Sequence, residues 1–188
     1  MKSMTKRFLA ALLAVAALFA LAGCSKSDKA DAAPKDYTKI LHDARPDEDN
    51  EYYMIFSPGE DGKFTAQYGY SDSYDAAQLD EEIRNMLLPL LNLEEDMYTD
   101  FAASVSGMMV QSYGIAIVKP AEGKQQAVSE ALDAYVQSQM QSMEHYLEDQ
   151  YQIAASSHIS TAPTGEVILV CCENPEAVMN AIKTALAA

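Results

Sequence analysis

Basic side chains are scarce in this sequence: Lys and Arg together number 13 against 28 Asp and Glu, and the formal net charge is −15. A surface this acidic repels the phosphates of nucleic acids, and no basic stripe along the chain relieves that repulsion. We therefore expect no nucleic-acid partner. Any attachment to an anionic membrane has to come from hydrophobic anchoring, because electrostatic docking is unfavourable.

Sequence motifs for catalysis or metal binding are missing as well. The chain has no G-x-S-x-G, H-E-x-x-H or C-x₂-C pattern, and its three histidines are scattered. Residues 47–51 alternate acidic side chains as a calcium loop does, but Tyr52 and Pro58 stand where an EF-hand needs Gly and Glu. We therefore predict no cofactor and no dedicated metal site, and we favour a protein that is not an enzyme.

Cysteine occurs at three positions, and two of them, Cys171 and Cys172, are adjacent. Consecutive Cα atoms lie about 3.8 Å apart, below the roughly 4.4–6.8 Å that a disulfide spans. On a strand the two side chains also point to opposite faces. We interpret the pair as one core residue and one partly exposed thiol, with a redox switch or an intermolecular disulfide as the alternative.

The third cysteine follows a segment that has the layout of a secretory signal. Lys2, Lys6 and Arg7 precede an uncharged apolar stretch, residues 8–22, which is too short for a comfortable transmembrane helix. This arrangement predicts a signal peptide over residues 1–23, with an N-terminal anchor helix as the alternative.

The end of that segment, Leu21-Ala22-Gly23-Cys24, resembles the bacterial lipobox. Small Ala22 and Gly23 let the backbone enter a peptidase cleft, and the Cys24 thiol can then take a diacylglyceryl group. Two or three acyl chains, at about 0.8 kcal/mol per buried methylene, hold a protein stably on a membrane. We therefore predict a palmitate-type lipid anchor at Cys24, on the extracytoplasmic face of the cell membrane of a Gram-positive bacterium. The alternative is an ordinary signal peptide with an incidental cysteine.

The chain after the lipobox divides into a tether and a domain. Residues 24–35 are small and polar with no apolar period, which predicts a flexible tether spanning about 18 Å as a random coil. Residues 36–188 have the length and hydrophobic content of a single packed domain.

Hydrophobic periodicity within that domain predicts both helices and hairpins. Helical spacing starts at four positions, Asp36, Asp75, Gly123 and Asn174. Strand-like runs on either side of turn-rich spacers predict hairpins within residues 51–70, 101–118 and 158–172. The acidic segment 46–51 is interpreted as a loop. We predict an α+β fold in two layers, an antiparallel sheet of hairpins with helices packed on one face.

Tyrosines are concentrated around the first of these hairpins. Aromatic rings stack on sugars or peptides, and the phenol hydroxyl adds a hydrogen bond. We therefore take four of them, Tyr52, Tyr53, Tyr68 and Tyr70, as candidate ligand contacts. The alternative is a face of the sheet that is buried under the first helices.

Three stretches make the sequence resemble a known family. They are YGIAIVKP at 113–120, HYLEDQY at 145–151 and GEVILV at 165–170. Together with the intervening long helix they resemble bacterial lipoproteins classified as domain of unknown function 4358, over residues 85–187. The resemblance implies a cell-surface lipoprotein and supplies no activity.

Taken together, these features favour a lipid-anchored, extracytoplasmic protein that acts as a non-catalytic binding or interaction module. Its partner, a protein or a small molecule, is not identified by the sequence. Two alternatives stay open, an envelope enzyme with a dispersed active site and an accessory subunit of a membrane complex.

Overall fold

The computed structural model describes residues 35–188. The predicted signal peptide, the lipobox with Cys24 and nearly all of the predicted tether lie outside the described residues. Within residues 35–188, no helix combines the length and the apolar character that crossing a membrane requires.

The described residues form six strands in one antiparallel sheet. The strands are β1 (Ile55–Pro58), β2 (Phe64–Gln67), β3 (Tyr98–Val105), β4 (Gly114–Pro120), β5 (His158–Thr161) and β6 (Val167–Cys171). Their order across the sheet is β2-β1-β3-β4-β6-β5. The three predicted hairpins are β1–β2, β3–β4 and β5–β6, each with antiparallel pairing. The predicted α+β class and antiparallel sheet are confirmed.

Along the chain, helices lie before the first strand, between strands and after the last strand. They are α1 (Tyr37–Ala44), α2 (Asp47–Tyr52), α3 (Ala76–Glu82), α4 (Leu88–Leu90), α5 (Gln125–Met143), α6 (Glu148–Ala155) and α7 (Pro175–Ala187). A 3₁₀ turn spans Gly69–Ser73, and a π-helical segment, Ile83–Leu87, joins α3 to α4.

The layering of the fold differs from the prediction, because helices cover both faces of the sheet. Along β4, Ala116 and Val118 pack in a core with α3 and α5, whereas Ile115 and Ile117 pack in a second core with α1 and α7. The single-face, two-layer arrangement is therefore corrected to helix–sheet–helix. The physical reason is visible in the strands: β4 and β6 are continuous apolar runs, which need burial on both sides.

Acidic side chains cap the starts of α1 and α3, whereas Asn174, at the start of α7, makes no side-chain capping hydrogen bond. The Asp36 side chain accepts a hydrogen bond of 2.9 Å from the Lys39 backbone N–H. Asp75 accepts from two N–H groups of the first turn of α3, and Gln78 completes a capping box with it. The acids thus sit where the positive end of the helix dipole favours them.

Two local predictions are wrong. The acidic segment 46–51 is not a loop, because Asp47, Glu48 and Asp49 occupy the first turn of α2, where negative charge stabilises a helix. The apolar stripe after Gly123 predicts one long helix as far as Leu147, but the helix ends at Met143, and α6 begins after Leu147, whose backbone is extended.

Contact between Gly114 and Tyr135 sets the distance between α5 and β4. The buried Tyr135 hydroxyl donates a 2.8 Å hydrogen bond to the Tyr113 carbonyl. A Cβ at Gly114 would lie 2.6 Å from that hydroxyl oxygen, so a residue without a side chain is needed here. This hydrogen bond fixes the main chain at the start of β4.

We expect Gly114→Ala to lower the free energy of unfolding by about 1–3 kcal/mol, because the added methyl overpacks against the Tyr135 ring. Gly107→Ala is the matched control: the nearest atom to its Cβ is 3.8 Å away, on Leu87, and its φ is not positive. Urea unfolding followed by circular dichroism measures both. Equal losses in the two variants would contradict the packing argument.

Candidate functional site

A cavity of about 530 Å³ opens at the end of the sheet where β3 passes to β4 and where β6 passes to α7. This volume is within the range of small-molecule sites. Its walls come from α2, the 3₁₀ turn, the β3–β4 loop, α6 and the start of α7. A second depression, of about 480 Å³, lies along α3 beside Gln78 and the exposed Met86. The first cavity is the better candidate because it joins several separate segments of the chain.

Three of the four predicted tyrosines line this cavity. Tyr52 and Tyr70 are 50% and 54% exposed, and Tyr53 lies deeper between them and the core. Tyr68 is elsewhere, with its ring 4.3 Å from that of His42 and packed against the core of α1 and α7. The contact of these tyrosines with a ligand stays a prediction.

A fifth tyrosine, Tyr113, was not predicted as a ligand contact and is buried in the cavity wall. Its ring stacks on Tyr53, with centroids 3.9 Å apart and an interplanar angle of 12°. The feature of the sequence that singles out Tyr113 is its position directly before the apolar run of β4. That position predicts only a strand, and the tertiary fold brings Tyr113 to Tyr53.

The candidate tyrosines lie outside the two strands of the first hairpin. β2 ends at Gln67, Tyr52 ends α2, and Tyr70 belongs to the 3₁₀ turn. A Cβ on Gly69, whose φ is +51°, would lie 2.6 Å from the Tyr53 carbonyl carbon. The absence of a side chain at Gly69 therefore lets the turn rest on the Tyr53 backbone and brings Tyr70 to the cavity.

A buried arginine holds the wall of the cavity together. Arg45 is 5% exposed, and its Nη1 donates to Ser104 Oγ at 2.7 Å and to the Tyr113 hydroxyl at 3.2 Å. Nη2 donates to the Tyr53 carbonyl at 2.6 Å, and Nε donates to Asn50 Oδ1 at 2.6 Å. One guanidinium therefore connects α2, β3 and both stacked tyrosines.

Negative charge dominates the lining of the cavity. Glu48, Asp49 and Glu173 line it, and none of the described residues in the lining is Lys, Arg or His. Burial raises the pKa of Asp49, while the positive charge of Arg45 and a hydrogen bond with Tyr113 oppose that shift. Anions are therefore disfavoured in this site.

Two polar atoms in the cavity wall are left without partners. Within residues 35–188, Gln111 Oε1 and Ser112 Oγ are buried and have no hydrogen-bond partner. Ser112 is only 2% exposed, and its backbone N–H is already held by Gln150 Oε1 at 2.9 Å. Such atoms are costly in a native fold and are rare.

The adjacent cysteines face opposite sides of the sheet, as predicted. Cys171 packs in the core with α5, whereas Cys172 packs in the core with α7 and also lines the cavity. The predicted partial exposure of one thiol is wrong, because Cys172 is 6% exposed and Cys171 is fully buried. Burial raises the pKa of both thiols, that of Cys172 to about 12, so both are protonated at neutral pH. Within the described part of the chain, no group of three or more His, Cys, Asp or Glu is arranged to hold a metal.

Comparison with known proteins gives one match. The family model described as “Domain of unknown function (DUF4358)” matches residues 71–172, which is more than half of the chain. No curated protein matches the sequence, and no solved structure does. The matched range contains the β3–β4 loop of the cavity, whereas α2 and Tyr70 precede it.

Replacing the buried arginine tests how far the cavity wall depends on it. We expect Arg45→Met to lower the free energy of unfolding by about 2–4 kcal/mol, because several buried acceptors lose a charged donor. Arg84→Met is the control, since Arg84 is partly exposed and its ion pairs with Asp80 and Glu95 are solvent-accessible. The free energy of unfolding should fall much less in Arg84→Met than in Arg45→Met. Urea unfolding monitored by tyrosine fluorescence reports both, and a comparable loss in Arg84→Met would refute the assignment.

Proposed function

The chain belongs to the family with domain of unknown function 4358, and we propose that it is a lipid-anchored, extracytoplasmic protein that binds a ligand in the cavity beside Tyr53 and Tyr113. The observation that carries the binding role is the unpaired Ser112 hydroxyl in the wall of a ligand-sized cavity. A buried polar atom without a partner is satisfied when a ligand supplies one.

The chemistry of the cavity supports binding more than catalysis. Aromatic rings, carboxylates and amide groups line it, and such groups recognise small ligands by stacking, charge and hydrogen bonding. The thiol of Cys172 is a poor nucleophile because burial raises its pKa to about 12.

One observation favours a second candidate function, an envelope enzyme with a dispersed site. Burial raises the pKa of Asp49, and a carboxyl with a raised pKa inside a cavity suits a general acid or base. The enzyme would be supported if the protein turned over a cell-envelope substrate and Asp49→Asn abolished that turnover. The third candidate, an accessory subunit of a membrane complex, rests on the proposed anchor alone.

The proposed anchor depends on the lipobox and on Cys24. We expect Cys24→Ala, expressed in a bacterium that processes lipoproteins, to lose labelling by a palmitate analogue and to accumulate as precursor or leave the membrane fraction. Without the thiol, no thioether can form. Cys172→Ala is the control, since it removes a thiol from the folded domain and should leave labelling intact. Labelling and fractionation of Cys24→Ala that equal the wild type would refute the anchor.

The binding role is tested by thermal unfolding of the full chain in detergent, against a panel of cationic, neutral and anionic small molecules. A ligand that binds only the native state raises the melting temperature. We expect Tyr52→Ala and Tyr70→Ala to weaken that ligand by roughly fivefold each, since a lost aromatic contact costs about 1 kcal/mol. Tyr146→Ala, at a still more exposed tyrosine outside the cavity, should bind as the wild type does. No stabilisation by any member of the panel, or equal weakening by all three variants, would overturn the proposal.

A further inference from the structure

We propose that the ligand of this cavity is a small organic cation that carries an ammonium group with N–H donors. This inference rests on the proposed binding function and specifies its ligand. It is carried by three properties of the cavity, namely its charge, its exposed aromatic faces and its unpaired hydrogen-bond acceptors.

The first property is the charge of the lining. Glu48 and Glu173 are exposed at the cavity, and Asp49 lies between the solvent and the buried network of Arg45. The guanidinium of Arg45 is engaged by buried acceptors behind the tyrosines and is not part of the lining. The cavity thus presents carboxylates without a basic residue of its own, so it attracts cations and repels anions.

The second property is the aromatic surface. Tyr53 and Tyr113 are stacked on each other, so each ring has one face already covered. Tyr52 and Tyr70 are about half exposed on the same cavity, and their rings are not among the stacked pairs of the described residues. The negative face of a tyrosine ring attracts a cation placed within roughly 6 Å of its centre.

The third property is the direction of the missing hydrogen bonds. Gln111 Oε1 is an amide oxygen and can only accept, and the Ser112 hydroxyl can accept as well. A ligand that brings N–H donors can therefore pair with both atoms. A protonated primary or secondary amine supplies both the positive charge and several N–H donors, whereas a quaternary ammonium supplies only the charge.

The cavity volume limits the ligand to a small molecule. About 530 Å³ accommodates a compact amine together with its carbon chain. Met108 lies at the cavity and is 56% exposed, and its flexible thioether side chain can adapt to that chain.

The test uses four five-carbon probes at equal ionic strength. They are 1,5-diaminopentane, 1,5-pentanediol, glutarate and 1,5-bis(trimethylammonio)pentane. Titration calorimetry and tyrosine fluorescence on the full chain in detergent report affinity, and tyrosine is the fluorophore because the sequence has no Trp. We expect the diamine to bind at least about tenfold more tightly than the diol and the bis-quaternary compound. Glutarate should not bind.

Matched charge variants separate the cavity from the acidic surface as a whole. Glu48→Gln/Glu173→Gln should weaken the diamine by about tenfold or more, because both carboxylates line the cavity. Glu81→Gln/Glu122→Gln removes the same charge from exposed positions outside it and should change affinity less than about twofold.

Ser112→Ala provides an independent check. Removal of an unpaired buried hydroxyl should leave the melting temperature of the free protein unchanged or higher, while it weakens the diamine by about threefold or more. A merely structural serine would instead lower the melting temperature and leave affinity intact.

The outcomes distinguish the inference from the function on which it rests. Failure of the diamine to bind, equal binding of the diol, tighter binding of glutarate, or equal effects of the two charge variants would each overturn the ammonium proposal. If the diol or glutarate binds and Tyr70→Ala weakens it, the binding function stands and only the ligand class is wrong.

Discussion

Strands β4 and β6 direct apolar side chains toward both faces of the sheet, so both faces have to be covered. Helices α3, α4 and α5 cover one face, and α1 and α7 cover the other. The rest of the molecule depends on this two-sided burial. The second face of β4 and β6 is shielded from water only if the chain before β1 and the chain after β6 both pack on it. The contact between α1 and α7 follows from it.

The same constraint produces the cavity. Where β3, β4 and β6 reach the end of the sheet, the covering helices no longer meet, and loops and short helices fill the space. Polar groups from these segments have to be paired or solvated. Arg45 pairs with groups around Tyr53 and Tyr113, and the atoms left unpaired among the described residues belong to Gln111 and Ser112, which line the cavity. The cavity is therefore a consequence of packing whose wall is held by one buried charge.

Much of the fold was predictable from the sequence, but less of the site was. Asp36 and Asp75 begin helices because a carboxylate beside free N–H groups is a local interaction. The strand pairs follow from apolar runs between turns. By contrast, Tyr68 and Tyr70 were placed on a strand, but a positive φ at Tyr68 and Gly69 turns the chain away after Gln67. Arg45 gives no signal of its role in the sequence, because two of its partners, Ser104 and Tyr113, lie far along the chain.

What the sequence by itself determined is local: the elements, their caps, the acidic balance, and the family to which residues 71–172 belong. Those properties depend on neighbours within a few residues or on composition alone. Only the tertiary structure decided that both faces of the sheet are buried, that Cys171 and Cys172 enter different cores, and that Tyr53 stacks on Tyr113. The reason is that stacking, desolvation and buried hydrogen bonds join residues distant in the chain, and their partners are chosen by packing.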